Sequence, residues 1–150
     1  MYQELLLYAR PQGTMQWEFT SDYAICKIEK DAGGKETVVP TARFQFVKHF
    51  CNLTPLNSDA LTTSSDHERV LFTAFAGEEK GKRVHTLHLA NLGAERKVTV
   101  RGIPGEVRQL RAICTDETRA FAELEPVTPK GGSLEIELRA LSLTTLTSLP

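Results

Sequence analysis

Residues 133–139, Ser-Leu-Glu-Ile-Glu-Leu-Arg, put Leu134, Ile136 and Leu138 on one face of an extended chain and Glu135, Glu137 and Arg139 on the other. Such alternation buries one face and solvates the other, so it predicts a strand lying against a second layer. The pattern recurs upstream. Ala60 to Ser64 reads as a weak strand and Arg69 to Ala76 as a strong one; Arg83 to Ala90, Arg96 to Arg101, Val107 to Cys114 and Leu141 to Leu146 follow. Turn chemistry separates them: the charged tip Gly77 to Lys82, Asn91-Leu92-Gly93-Ala94, Gly102-Ile103-Pro104-Gly105, and a loop from Pro126 that ends in Gly131-Gly132. Asp116 to Ala122 is a polar excursion with room for a single helical turn. Six or seven short strands at this spacing predict an antiparallel β-sandwich of Ig-like or Greek-key type over residues 56–150.

Before Pro55 the periodicity is different. Tyr2 to Arg10 predicts a helix that is apolar around much of its circumference, because Leu5, Leu6 and Leu7 are consecutive. Pro11-Gln12-Gly13 ends it, and a strand with Met15, Trp17 and Phe19 on one face follows. Ala24 to Glu29 extends that strand or forms another, Asp31 to Lys35 is a turn, and Thr37-Val38-Val39 is extended. A second helix opens at Pro40-Thr41, with Thr41 as N-cap, and stops near Leu53 before Thr54-Pro55. Its Phe46, Phe50 and Leu53 form one stripe, with Val47 beside it, that should dock firmly. The expected organisation is thus an N-terminal αβα annex over residues 1–55 and a sandwich over residues 56–150.

Charge excludes several function classes. A formal net charge of −1, with basic residues scattered, gives no electrostatic footprint for nucleic acid or an anionic membrane. No apolar run approaches the roughly 20 residues of a membrane-spanning helix, and no signal-peptide pattern opens the chain. Cys26, Cys51 and Cys114 are too few and too far apart for a disulfide framework or a metal site, and each is expected to be a small buried hydrophobe. His85 and His88 fall on opposite faces of one strand. Asp116-Glu117-Thr118-Arg119 lacks the glycine-spaced oxygen ligands of a calcium loop. No cofactor or metal is expected.

The candidate binding residues cluster at one place. Trp17, the single tryptophan, precedes Glu18, Asp22 and Tyr23 at the mouth of the predicted strand. An aromatic face beside carboxylates suits a sugar, whose C–H groups stack on the ring while its hydroxyls donate to the acids. The competing reading makes Trp17 a core or interface residue with a satisfied N–H.

A helix, a strand with Trp at its mouth, an irregular segment, a helix ending before Pro and then a sandwich: in this order the chain resembles the C-terminal part of a clan-A O-glycosyl hydrolase of the glycoside hydrolase family thirty type. Trp17-Glu18-Phe19-Thr20-Ser21-Asp22-Tyr23 matches the eighth barrel strand and Pro40-Thr41-Ala42-Arg43-Phe44 the start of the eighth helix. Leu110 to Glu117, Gly132-Ser133-Leu134 and Leu141 to Leu146 match the last sandwich strands. The resemblance implies a (β/α)8 barrel followed by a β-sandwich, so the annex would hold the last barrel elements. Trp17 would line the central sugar subsite at the C-terminal mouth of the barrel. The family's two catalytic carboxylates sit on the fourth and seventh strands, which would precede Met1. Retaining hydrolysis needs such a pair about 5–5.5 Å apart. Glu18 and Asp22 share one strand and do not match those positions, so the chain alone is expected to be inactive.

The partners this implies are carbohydrate and the remainder of a barrel; a secreted or periplasmic parent stays open. Two other classes compete: a free-standing carbohydrate-binding sandwich, and an interaction module that self-associates through Leu5, Leu6, Leu7 and Trp17. The first should display several exposed aromatics, yet Phe121 is the only aromatic after residue 76.

Overall fold

The computed structural model describes Glu4, Tyr8 and residues 24–150. The predicted first helix, apart from those two residues, the Pro-Gln-Gly turn and the Trp17 strand lie outside the described residues. The described part is mainly β and entirely antiparallel, with one helix.

It opens with a hairpin of β1 (Cys26–Lys30) and β2 (Glu36–Pro40). Asp31 shapes the hairpin turn, its Oδ1 accepting the amides of Gly33 and Lys35 at 2.9 Å each. The helix α1 (Ala42–Leu53) follows as expected, with Thr41 at its N-cap. The Thr41 hydroxyl does not cap the helix; it donates to the carbonyls of Ala24 and Ile25 at 3.0 Å and so ties the helix start to the hairpin.

Eight strands complete the chain: β3 (Asp59–Leu61), β4 (Val70–Glu79), β5 (Lys82–Asn91), β6 (Arg96–Arg101), β7 (Leu110–Thr115), β8 (Ala122–Val127), β9 (Ser133–Leu138) and β10 (Ser142–Thr147). Six form one sheet in the order β3-β4-β5-β10-β7-β8, and β6 pairs with β9 in a second. The chain therefore crosses between layers at β5–β6, β6–β7, β8–β9 and β9–β10, and β10 returns to lie between β5 and β7.

One strand is absent from the sequence reading. Ala122–Val127 spans the end of the expected polar excursion and the start of the expected loop; it forms β8 at the sheet edge, where the missing N–H of Pro126 costs no ladder bond. The predicted weak strand shrinks to three residues, and the first three residues of the strand expected over Val107 to Cys114 lie outside β7. The tip between β4 and β5 contracts to Lys80-Gly81, both at positive φ (51° and 75°), the two-residue turn that matches strand twist.

The two sheets enclose an aliphatic core. Leu134 and Leu138 of β9 and Val100 of β6 meet Leu87 and Leu89 of β5, Leu110 and Ala112 of β7 and Leu146 of β10. The glutamates of β9 stay outside, as the alternation predicts. Buried Asn91 clasps the layers: its Nδ2 donates to the carbonyls of Ala94 and Arg139 at 2.8 Å, and its Oδ1 accepts the Gly93 amide at 3.2 Å. The chain leaving α1 runs against β4 at Gly77, where an added Cβ would stand 2.8 Å from the Pro55 side chain. Cys114 alone is buried; Cys26 is half-buried and Cys51 exposed, because Cys51 points off the docked face of α1.

Candidate functional site

Trp17, Glu18, Asp22 and Tyr23 lie outside the described residues. The described chain instead presents two features of functional interest: the buried seam under α1, and an open cleft between the sheets.

The seam is made by the face of the large sheet turned away from the aliphatic core. Strand parity puts Thr86 and His88 of β5 on this face, beside Thr145 and Thr147 of β10 and Thr115 of β7. Threonine suits both demands of the place: its branched Cβ fits a strand, and its hydroxyl answers a buried polar partner. The helix supplies His49, fully buried. The expected Phe46/Phe50/Leu53 face is the one that docks, but its deepest residues are His49 and Leu53, and both phenylalanines are only half-buried.

Hydrogen bonds run through the seam in one line. The Phe121 amide donates to Thr115 Oγ1 at 2.9 Å, and Thr115 Oγ1 lies 2.9 Å from His49 Nε2. His49 Nδ1 is 2.7 Å from Thr145 Oγ1, which is 2.8 Å from His88 Nδ1; His88 Nε2 is 2.9 Å from Thr54 Oγ1. A hydroxyl has one hydrogen. Thr145, placed between two ring nitrogens, can donate to only one of them. With both rings neutral, each ring nitrogen in the line has a hydroxyl partner. Burial, reinforced by the Lys48 charge, lowers the His49 pKa to about 4; burial, reinforced by His49, lowers that of His88 to about 3.

Rings and a second hydroxyl pair close the seam. Phe50 packs 4.4 Å from the His88 centroid, and Phe121 meets His49 edge-on at 4.9 Å with Lys48 Nζ 4.0 Å above its own ring. Thr86 Oγ1 donates to the Leu53 carbonyl at 2.6 Å at the end of α1, and accepts from Thr147 Oγ1 at 2.7 Å. This arrangement holds a helix on a sheet in one register; among the described residues it offers no nucleophile and no exposed acid–base pair.

Other candidates resolve into structure. Asp116 Oδ1 accepts from the Thr118 amide (2.8 Å), the Thr118 hydroxyl (3.0 Å) and the Arg119 amide (2.8 Å), so this carboxylate clasps its own loop. Among the described residues no group of three His, Cys, Asp or Glu side chains could hold a metal ion, and no helix is long and apolar enough to cross a membrane. His85 and His88 do point to opposite faces, one to the core side and one to the seam.

The cleft has a volume of about 710 Å³. Val70, Phe72 and Leu89 of the large sheet form its apolar floor, Thr62 to His67 one wall and β6 the other. A chamber of about 170 Å³ adjoins it, lined in part by Phe72, Val100 and His85. His85 is buried, and its Nδ1 has no hydrogen-bond partner. Arg96 contacts His67 across the mouth.

No protein-family model matches the chain, and a search of curated proteins finds no match. Solved structures do share the fold. A GH30 endoxylanase from Clostridium papyrosolvens C71 superposes with a TM-score of 0.66 at 19% identity, over 73% of this chain and 28% of its own. A glycoside hydrolase family 30 subfamily 8 xylanase from Clostridium acetobutylicum gives 0.68 at 13% identity, over 85% of this chain and 31% of its own. The GH51 alpha-L-arabinofuranosidase from Thermotoga petrophila RKU-1 gives 0.63 at 12%, over 88% and 33%. The fold is therefore one found within glycoside hydrolases, and the chain spans about a third or less of the length of these neighbours.

Proposed function

We propose that the chain is the C-terminal region of a retaining glycoside hydrolase, where its sandwich supports the end of a (β/α)8 barrel and has no catalytic carboxylates of its own. The observation that carries this reading is the conjunction of fold and coverage: most of this chain matches less than a third of each of two xylanases. The seam fits the same role. Support requires a helix held rigidly against a sandwich, and five side chains, Thr54, His49, Thr145, His88 and Thr115, are committed to that task. In this reading Trp17, Glu18, Asp22 and Tyr23 line the sugar site at the barrel mouth, and carbohydrate is the partner.

The rival reading, a free-standing carbohydrate-binding module, lacks a platform on the sandwich. Phe121 is the one aromatic after residue 76, and it is engaged between His49 and Lys48.

The coding sequence upstream of Met1 tests the proposal. It should specify seven βα units with carboxylates ending the fourth and seventh strands; an unrelated reading frame there would overturn it. In parallel, the 150-residue chain incubated with xylan should release no reducing sugar, whereas turnover would refute the assignment of catalysis to residues outside it.

A further inference from the structure

The hairpin β1–β2 is a sheet of its own, and two strands alone are marginal in water. Among the described residues each strand keeps one unpaired edge. The two edges are not equivalent. The Asp31 amide donates to the Lys35 carbonyl at 3.1 Å, and the Thr41 amide to the Ile25 carbonyl at 2.9 Å. Odd-numbered residues at both ends of the ladder thus turn their backbone groups inward. Those groups alternate sides along a strand, so Cys26, Ile28 and Lys30 of β1, and Glu36, Val38 and Pro40 of β2, turn theirs outward. Pro40 has no N–H to offer, which blunts the β2 edge. The β1 edge has no such block. The outer strands of the large sheet make poorer edges: β3 is three residues long, and β8 carries Pro126.

Side chains narrow what fits along β1. Ile28 stands opposite Val38, and the two are 52% and 64% exposed. On the other face Lys27 and Glu29 are exposed and have no ion-pair partner among the described residues, whereas Lys30 pairs with Glu36 at 2.9 Å. A second β1 laid antiparallel about Ile28 sets Ile28 opposite Ile28, Cys26 opposite Lys30 twice and Lys27 opposite Glu29 twice. Both charge pairs are of opposite sign, the favourable case. They fall at non-hydrogen-bonded positions, where facing side chains stand closest. Ile28 exchanges both backbone bonds with its copy, and the row Val38, Ile28, Ile28, Val38 then runs unbroken across one face of a four-stranded sheet.

We propose that β1 is a self-association edge, through which two copies of this chain pair antiparallel about Ile28 in a two-fold dimer. The occupant is a second copy because Cys-Lys-Ile-Glu-Lys answers its own reverse in charge. A strand meant for an apolar partner would not carry three charges among five residues. Five paired residues make a small contact, so the dimer is a weak one. The proposal stands apart from the glycosidase reading.

Sedimentation equilibrium of the whole chain, from micromolar to millimolar concentration, should show a reversible monomer–dimer equilibrium. Hydrogen exchange at the Ile28 and Lys30 amides should slow as the dimer fills. Lys27→Glu and Glu29→Lys each set like charges opposite one another twice and should each weaken the dimer about tenfold, their folds checked by circular dichroism. An equimolar mixture of the two variants restores opposite charges at both places and should associate like the parent, as should the double variant Lys27→Glu/Glu29→Lys. A chain that stays monomeric at millimolar concentration would overturn the proposal. A dimer that neither reversal weakens would place the contact on another surface and sink it, as would two weakened variants whose mixture stays apart. None of these results touches the glycosidase reading.

Discussion

The two faces of the six-stranded sheet are covered by opposite means. Toward β6 and β9 the contact is aliphatic, built from Leu87, Leu89, Leu134, Leu138 and Leu146. Toward α1 it is a file of threonine hydroxyls and two neutral imidazoles. Aliphatic burial is strong and non-directional. A hydrogen-bonded seam contributes less net stability per contact, yet each buried group that loses its partner is costly, so only one helix in one register is accepted. One face supplies cohesion; the other supplies selectivity.

Acid should separate the two faces most sharply. The unfolded rings titrate near pH 6.5, whereas the folded ones are held to about 4 and about 3, so between these values the unfolded chain binds more protons. Stability contributed by neutral His49 and His88 is full above about pH 6.5 and is lost as pH falls, by up to about 1.4 kcal/mol per pH unit for each ring. Urea melts from pH 7 to pH 4 should show this slope, and hydrogen exchange should show α1 opening before β9. A His49→Gln/His88→Gln variant whose melts keep the full slope would place its source elsewhere.

A cavity on the other face comes next. Leu138→Ala, at a residue with 0% exposure, should cost about 2–5 kcal/mol in a urea melt at pH 7 with no change in the pH slope. Thr145→Val removes the hydroxyl shared by both imidazoles while keeping shape. It should cost about 1–3 kcal/mol, and Thr145→Ser should recover most of it. Equal melting of the valine variant and the parent would show that the seam's hydrogen bonds contribute nothing net. The smallest effect lies far from both faces. Lys80→Asn, at φ 51° in the β4–β5 turn, should raise stability by about 0.5 kcal/mol, because Asn tolerates the left-handed region better.

The contrast also explains what could be read in advance. Alternation announced the aliphatic face, since Leu134, Ile136 and Leu138 obey a period of two with no help from the rest of the chain. The seam was not announced. His49 sits three residues after Phe46 and four before Leu53, on the very stripe taken to be aromatic, but nothing in the sequence says that Thr145 and Thr115 will stand opposite it. Partners that are 66 and 96 residues apart become neighbours only when the register of β7 and β10 is known. The signal available was the run Leu-Thr-Thr-Leu-Thr: hydroxyls on a central strand need buried polar company. β8 escaped because Pro126 argues against a strand unless its edge position is known. The proposed sugar residues Trp17, Glu18, Asp22 and Tyr23 rest on residue chemistry and resemblance and lie outside the described residues, and the division into residues 1–55 and 56–150 remains a proposal that melting of the two fragments would check.

Where Pro55 presses on the bare α-carbon of Gly77, the turn from helix to sheet has no slack. A side chain at position 77 would have to push Pro55 and Ser58 aside, so glycine there lets the end of α1 lie directly on β4.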